Sequence, residues 1–344
     1  MLKKFFLLLS IALVFTGCAG DAFPKGINTS STAPVLFTVK NYDSSLAEHT
    51  YAYTHHPERI VALWQNSIET LIALGAADKI IAVAGIIDER HLKPEFLEAY
   101  RKIPLHSRYA YSQESMLLLK PDFILGWYYD FTGKGKTVGL TQFWEDRHVN
   151  IYMTLMNNAE YKAKHTLEDE ITYIKDVAKI VNKEKTAEGY IAAMQVSIDR
   201  SRQRLAGKRP PKVLIMSSPG KTISIYTPRT LPGDLITKLG GDVCGKDREA
   251  VGQNEFIGYE DILMLDPDVI FLQVYPEREQ LTLDKLYQHP ALQHLRCLKN
   301  KQVYTMPFYT VRCPGIRVME AIDIFARGLE NCTAQHTAPA EVSQ

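Results

Sequence analysis

The sequence predicts an α/β protein of two similarly built lobes joined by one long helix. Three observations carry this. Short apolar runs alternate with helix-periodic segments from Pro57 onward, about 40 residues at the centre (165–206) keep helical periodicity, and a twelve-residue pattern from the first half returns in the second. The composition agrees, since 344 residues at 46% hydrophobic and 23% charged fit a globular chain. At roughly 100–200 residues per domain, that length holds two cores. Forty basic against 39 acidic residues leave a net charge of +1. A near-neutral balance offers no electrostatic footing for nucleic acid, which calls for clustered basic charge.

The N-terminus reads as an address. Met1 to Lys4 is short and basic, Phe5 to Phe15 is apolar apart from Ser10, and Phe15-Thr16-Gly17-Cys18 follows. These are the parts of an export signal, and the apolar run falls short of the roughly 20 residues a membrane span needs. Residues 1–17 are therefore expected to be a signal peptide. Small residues before a cysteine resemble a bacterial lipobox, which implies that Cys18 becomes the lipidated first residue. Residues 18–50 are expected to form a tether and the first strand, Val35 to Val39.

An N-terminal lobe is expected over 51–165. Arg59 to Leu63 is a run suited to a buried parallel strand. Asn66 or Ser67 can cap the following helix, whose Ile68, Leu71, Ile72 and Leu74 have helical spacing, and Gly75 suits its end. Lys79 to Ala84 is a second strand ending at Gly85, Ser115 to Leu119 a short helix, Asp122 to Gly126 a third strand and Val149 to Met153 a fourth. The linker, 166–208, carries two apolar stripes with a joint at Asn182-Lys183. Its second piece, Glu184 to Leu205, would be about 33 Å long at 1.5 Å per residue. Gly207 and Pro210-Pro211 stop it.

The C-terminal lobe, 209–332, repeats the plan. Lys212 to Met216, Ile223 to Tyr226, Val269 to Leu272 and Gln302 to Thr305 read as strands. Leu235 to Leu239 and Val318 to Leu329 read as helices, and 333–344 as a disordered tail. Glu114-Ser-Met-Leu-Leu-Leu-Lys-Pro121-Asp122-Phe-Ile-Leu returns as Glu260-Asp-Ile-Leu-Met-Leu-Asp-Pro267-Asp268-Val-Ile-Phe. In each copy an acid sits where a helix dipole favours negative charge, and Pro-Asp then opens a strand. Cys244, Cys297, Cys313 and Cys332 contain no C-x-x-C pair, which argues against structural zinc. In an oxidising compartment four thiols allow three pairings that the sequence does not resolve; Cys244 with Cys332 is favoured over free thiols.

With its lipobox-like start, Pro57-Glu-Arg-Ile-Val-Ala, Ile68 to Gly75, both Pro-Asp blocks, the long helix, Leu239-Gly-Gly241 and Pro314-Gly-Ile-Arg317, the chain resembles the substrate-binding proteins of ABC importers for iron-siderophores, haem and cobalamin. That class III periplasmic binding fold implies two Rossmann-like lobes on a rigid backbone helix, with the ligand in the cleft between them. It also implies that Glu114 and Glu260, one per lobe, dock on arginines of the permease. Ligands of open parallel sheets sit beyond the carboxyl ends of the strands, and there the chain places Trp64 and Gln65, then Trp127, Tyr128 and Tyr129. The second lobe offers Tyr226 and Arg229, Tyr275, and Tyr309 with Arg312; Arg108 and Tyr109 are weaker candidates. Aromatic faces and arginines suit a large, anionic chelate.

The expected function is capture of a ferric-siderophore-like complex for an ABC permease and its ATPase subunits, by a lipid-anchored monomer on the outer face of the cytoplasmic membrane. Cobalamin or haem is the alternative ligand, and an exported α/β enzyme the competing class. No catalytic residue, resident cofactor or dedicated metal site is expected. Gly133-Lys-Gly-Lys136-Thr137 has Asp130 where a phosphate-binding loop needs its first glycine, Gly220-Lys221-Thr222 fails likewise at Ile215, and no Gly-x-Ser-x-Gly elbow occurs. His55-His56 is expected to be a solvent-exposed pair.

Overall fold

Two large sheets and a two-stranded hairpin organise the described residues. The computed structural model describes residues 34–133, 137–155, 164–245, 254–312 and 314–337. The signal segment, Cys18 and Cys313 lie outside the described residues.

The chain enters through a hairpin, β1 (Phe37–Tyr42) and β2 (Glu48–Tyr53). Within the stretch expected as tether plus one strand, residues 37–50 thus belong to a packed hairpin, and residues 18–33 lie outside the described residues. Val39, Tyr51 and Tyr53 enter the core, and Asn41 mimics a ladder partner, its Nδ2 donating to Met153 O at 3.2 Å and its Oδ1 accepting from Met153 N at 3.0 Å. The edge of the neighbouring sheet is covered in this way. His56, expected in solvent, is half-buried instead, stacked on Phe37 at 5.0 Å with Nδ1 2.9 Å from Ile180 O.

The first lobe follows as β3 (Ile60–Leu63), α1 (Trp64–Ala73), β4 (Ile80–Ala84), α2 (Leu97–Arg101), β5 (Leu105–Ser107), α3 (Gln113–Leu119), β6 (Phe123–Trp127), α4 (Thr141–Glu145) and β7 (Asn150–Thr154). Its sheet is wholly parallel, in the order β5-β4-β3-β6-β7. All four residues of β3 are buried, as expected of a central strand covered on both faces. Helix α1 begins at Trp64, not after an Asn66 or Ser67 cap; both residues lie buried inside the helix.

Helices α5 (Leu167–Ile180) and α6 (Glu184–Leu205) connect the lobes. The buried Ala187, Met194, Ile198, Ser201 and Leu205 line one face of α6 at helical spacing. The second lobe contains β8 (Lys212–Met216), β9 (Ile223–Tyr226), α7 (Leu231–Leu239), β10 (Asp242–Val243), β11 (Asn254–Ile257), α8 (Tyr259–Leu265), β12 (Val269–Val274), α9 (Glu279–Tyr287), α10 (Arg296–Lys299), β13 (Val303–Pro307) and α11 (Val318–Thr337). Its sheet runs β11-β9-β8-β12-β13, with β10 beside β8. Helix α6 packs against α5, α7 and α11. Helix α11 continues through Thr337, so residues 333–337 are not tail.

The Pro-Asp echo has a mechanical meaning. Asp122 accepts from the backbone N–H groups of Glu58 (2.8 Å) and Arg59 (2.9 Å) at the entrance of β3. Asp268 accepts from the N–H of Lys212 at 2.8 Å, at the start of β8. Each aspartate thus sets the register between a lobe's central strand and its neighbour. The preceding helices both end on a left-handed residue, Lys120 (φ 49°) and Asp266 (φ 38°).

The expected Cys244–Cys332 bridge is not formed; both residues are thiols. Alternation along the strands explains this. Val213, Ile215, Val269 and Phe271 share a core with Cys332, whereas Leu214, Met216, Ile270 and Leu272 share the opposite core with Cys244 and Cys297. The sheet stands between the two sulfurs.

Candidate ligand cleft

The carboxyl ends of the two sheets face each other. His91, in the loop after β4, lies 5.7 Å from the Phe308 ring and 6.0 Å from Tyr309, both beyond β13. Its Nε2 is 3.2 Å from Glu277 Oε2, beyond β12. On the floor, Gly315-Ile316-Arg317 packs against α1, and Ile316 N donates to Thr70 Oγ1 at 3.2 Å.

The first lobe contributes an aromatic wall. Trp64 and Trp127 stack at 5.0 Å between centroids and 25° between planes. Trp64 Nε1 donates to Asp130 Oδ2 at 2.8 Å, and Trp127 Nε1 donates to Asn66 Oδ1 at 2.8 Å. A Cβ on Gly85 would stand 2.6 Å from Trp64 Cε3, so a side chain at that position would displace the ring. Trp64 is thereby engaged by Gly85 and Trp127 together, and both indoles are half-buried. Tyr128 is half-buried and Tyr129 is 55% exposed, their rings 5.5 Å apart. Ile87 (66%) and Tyr109 (73%) extend the exposed rim.

Gln65 is buried and points to the floor, its Nε2 donating to Glu69 Oε2 (3.0 Å) and His91 O (2.9 Å). Burial pushes the Glu69 carboxyl up, while Arg317 and the Lys93 N–H pull it down.

In the second lobe the expected residues divide. Tyr226 and Gln273 are buried and hydrogen-bonded to each other. Tyr309 is also buried, with Arg317 Cζ 4.2 Å from its ring centroid. Tyr275 is 42% exposed and packs on Phe308 at 4.7 Å. Arg229 and Arg312 are exposed. The Arg229 carbonyl accepts from His165 N at 2.9 Å, which ties its turn to the connection from the first lobe.

The residues not foreseen as site members are Asp130, Glu69 and His91. Only Asp130 carried a sequence signal, an acid directly after Trp127-Tyr128-Tyr129. No group of three or more His, Cys, Asp or Glu among the described residues is placed to hold a metal ion.

Glu114 and Glu260 are exposed near the starts of α3 and α8. The Glu114 carboxyl is held below its usual value by its own backbone N–H and by Ser112. At matching offsets stand exposed apolar pairs, Leu117 (40%) with Leu118 (84%), and Leu263 (40%) with Met264 (75%). No helix among the described residues is long and apolar enough to cross a membrane.

Residues 60–310 match the periplasmic binding protein family. A crystal structure of a periplasmic binding protein from Veillonella parvula superposes with a TM-score of 0.79 at 34% identity, covering 89% of this chain and 95% of that one. The achromobactin-binding periplasmic protein of Dickeya dadantii is 25% identical over 265 residues, 73% of this chain and 78% of that protein. The ferric enterobactin-binding periplasmic protein of Escherichia coli is 22% identical over 291 residues, 80% of this chain and 86% of that protein.

Proposed function

The chain belongs to the periplasmic binding protein family, and on that premise we propose that it captures a ferric-siderophore-type iron complex and delivers it to the permease of an ABC importer. The observation that carries this reading is the Trp127 face, braced by Trp64, at the strand ends of one lobe, with exposed Arg229 and Arg312 on the other. An aromatic face takes the flat ligand rings of a chelate, and guanidinium groups meet its negative charge. The names of the achromobactin- and enterobactin-binding relatives favour the same ligand class over cobalamin or haem. Iron and chelator are the cargo; the protein supplies shape and charge and carries out no bond-making step.

In this reading Glu114 and Glu260 dock the loaded monomer on the permease, whose ATPase subunits drive uptake, and a lipid on Cys18 keeps it at the outer face of the cytoplasmic membrane. Calorimetric titration with ferric siderophores tests the site. Trp127→Ala and Arg229→Ala should each weaken binding about tenfold, the loss expected for a stacking or charge-assisted contact. Unchanged affinity in both variants would place the ligand elsewhere.

A further inference from the structure

Asp130 is the polar centre of the aromatic wall. Its side chain is buried, at 4% exposure, and one oxygen, Oδ2, accepts from both Trp64 Nε1 (2.8 Å) and the Trp127 backbone N–H (2.7 Å). Asn66, two residues after Trp64, holds the Trp127 indole N–H in return. The clasp is reciprocal: each indole is gripped by a residue that follows the other tryptophan. Trp64 needs the grip, because its φ of 71° is one a bulky residue seldom adopts. The space is tight and apolar, as a Cβ on Gly126 would meet Asp130 Oδ2 at 2.9 Å, Leu63 at 3.1 Å and Phe131 at 3.3 Å.

We propose that Asp130 is a positioning residue: its ionised carboxylate locks Trp64 beneath Trp127, and protonation loosens the pair and weakens capture in mildly acidic medium. This rests on the reading of Trp127 as ligand wall. A charge-assisted hydrogen bond becomes a neutral one when the proton arrives, and roughly half its strength is lost. Burial, opposed by the Trp127 and Trp64 N–H donors, pushes the carboxyl up to about 6. No charged side chain among the described residues contributes to that shift.

The chain has three tryptophans. The third, Trp144, is buried with Nε1 on Val138 O at 2.8 Å, so pH-dependent emission from ligand-free protein reports on the clasp. Emission should change with a midpoint near pH 6 in the wild type. The transition should vanish in Asp130→Asn and in Trp64→Phe, which lacks the indole N–H. Should Asp130→Asn fail to fold, Trp64→Phe carries the test alone. A transition persisting in the folded variants would overturn the proposal. With a ferric trihydroxamate as probe, wild-type affinity should fall about fivefold from pH 7.5 to 5.5, the difference between a charged and a neutral hydrogen bond, and Asp130→Asn should stay flat. Affinity independent of pH in the wild type would sink the link to capture. An emission transition with no ferric complex bound would refute the functional reading and the capture step, leaving only the clasp.

Discussion

Glu69 and Arg317, 248 residues apart in sequence, meet at 2.8 Å with side chains 0% and 4% exposed. The pair ties α1 of the first lobe to the turn that opens α11 of the second. Arg317 also donates to Glu320 Oε2 at 2.6 Å and to His91 O at 3.2 Å, so one guanidinium joins both lobes beneath the cleft. Besides the linker helices, the lobes therefore share a buried polar joint, which limits their relative motion.

Arg317→Met should destabilise the protein by about 3–5 kcal/mol, because it leaves a buried carboxylate without its cation. The folded-state carboxyl of Glu69 already lies above its ordinary value. Stability gained from a raised carboxyl is present at low pH and lost as pH rises through the folded value. The damage should thus be smaller at pH 5 than at pH 8. Urea denaturation at the two pH values checks this, and an equal or opposite dependence contradicts it.

Asp130 makes a pH prediction of its own. Its carboxyl rises from 3.8 to about 6 on folding, so the folded state binds more protons in that window. Its contribution is fully present below about 3.8 and disappears as pH climbs through about 6. Relative to Asp130→Asn, the wild type should lose up to about 3 kcal/mol across the window. Parallel stability curves for the two proteins would refute the burial argument.

The docking surfaces should separate from the cleft. The double variant Glu114→Ala with Glu260→Ala should abolish uptake of radiolabelled iron complex by cells and leave binding by the purified protein unchanged. Normal uptake would remove both glutamates from the docking role.

The thiols should be inert. Burial pushes Cys297 up to about 12 and Cys332 up to about 11, so neither supplies thiolate near neutrality. Peptide-level alkylation of native protein should leave both unmodified, and denaturation should expose them. Rapid labelling of native Cys297 would contradict its placement in the core.

What could be read before folding was whatever depends on local pattern. The apolar runs of β3 and β12 and both Pro-Asp blocks are of this kind, because period and punctuation carry them; the stripe read along α6 (Tyr190, Ala193, Met194, Ser197 and Leu205) shares only Met194 and Leu205 with its buried face. What could not be read depends on contacts made across the chain. The β1–β2 hairpin is held by Val39, Tyr51 and Tyr53 in the core as well as through Asn41. Lys120 and Asp266 end their helices without glycine, and Cys244 and Cys332 are kept apart by sheet alternation. Of the cleft residues, the aromatic cluster after β6 was visible as composition. The burial of Tyr226, Gln65 and Tyr309, and the roles of Asp130 and Glu69, arise only when side chains from distant segments compete for the same interior.

The most direct test of the account is calorimetric titration of the purified protein with ferric siderophores of catecholate, hydroxamate and carboxylate type, alongside haem and cobalamin. Saturable one-to-one binding of a ferric siderophore, with quenching of tryptophan emission, is the predicted result. Binding confined to haem or cobalamin, or no binding to any of them, would contradict it.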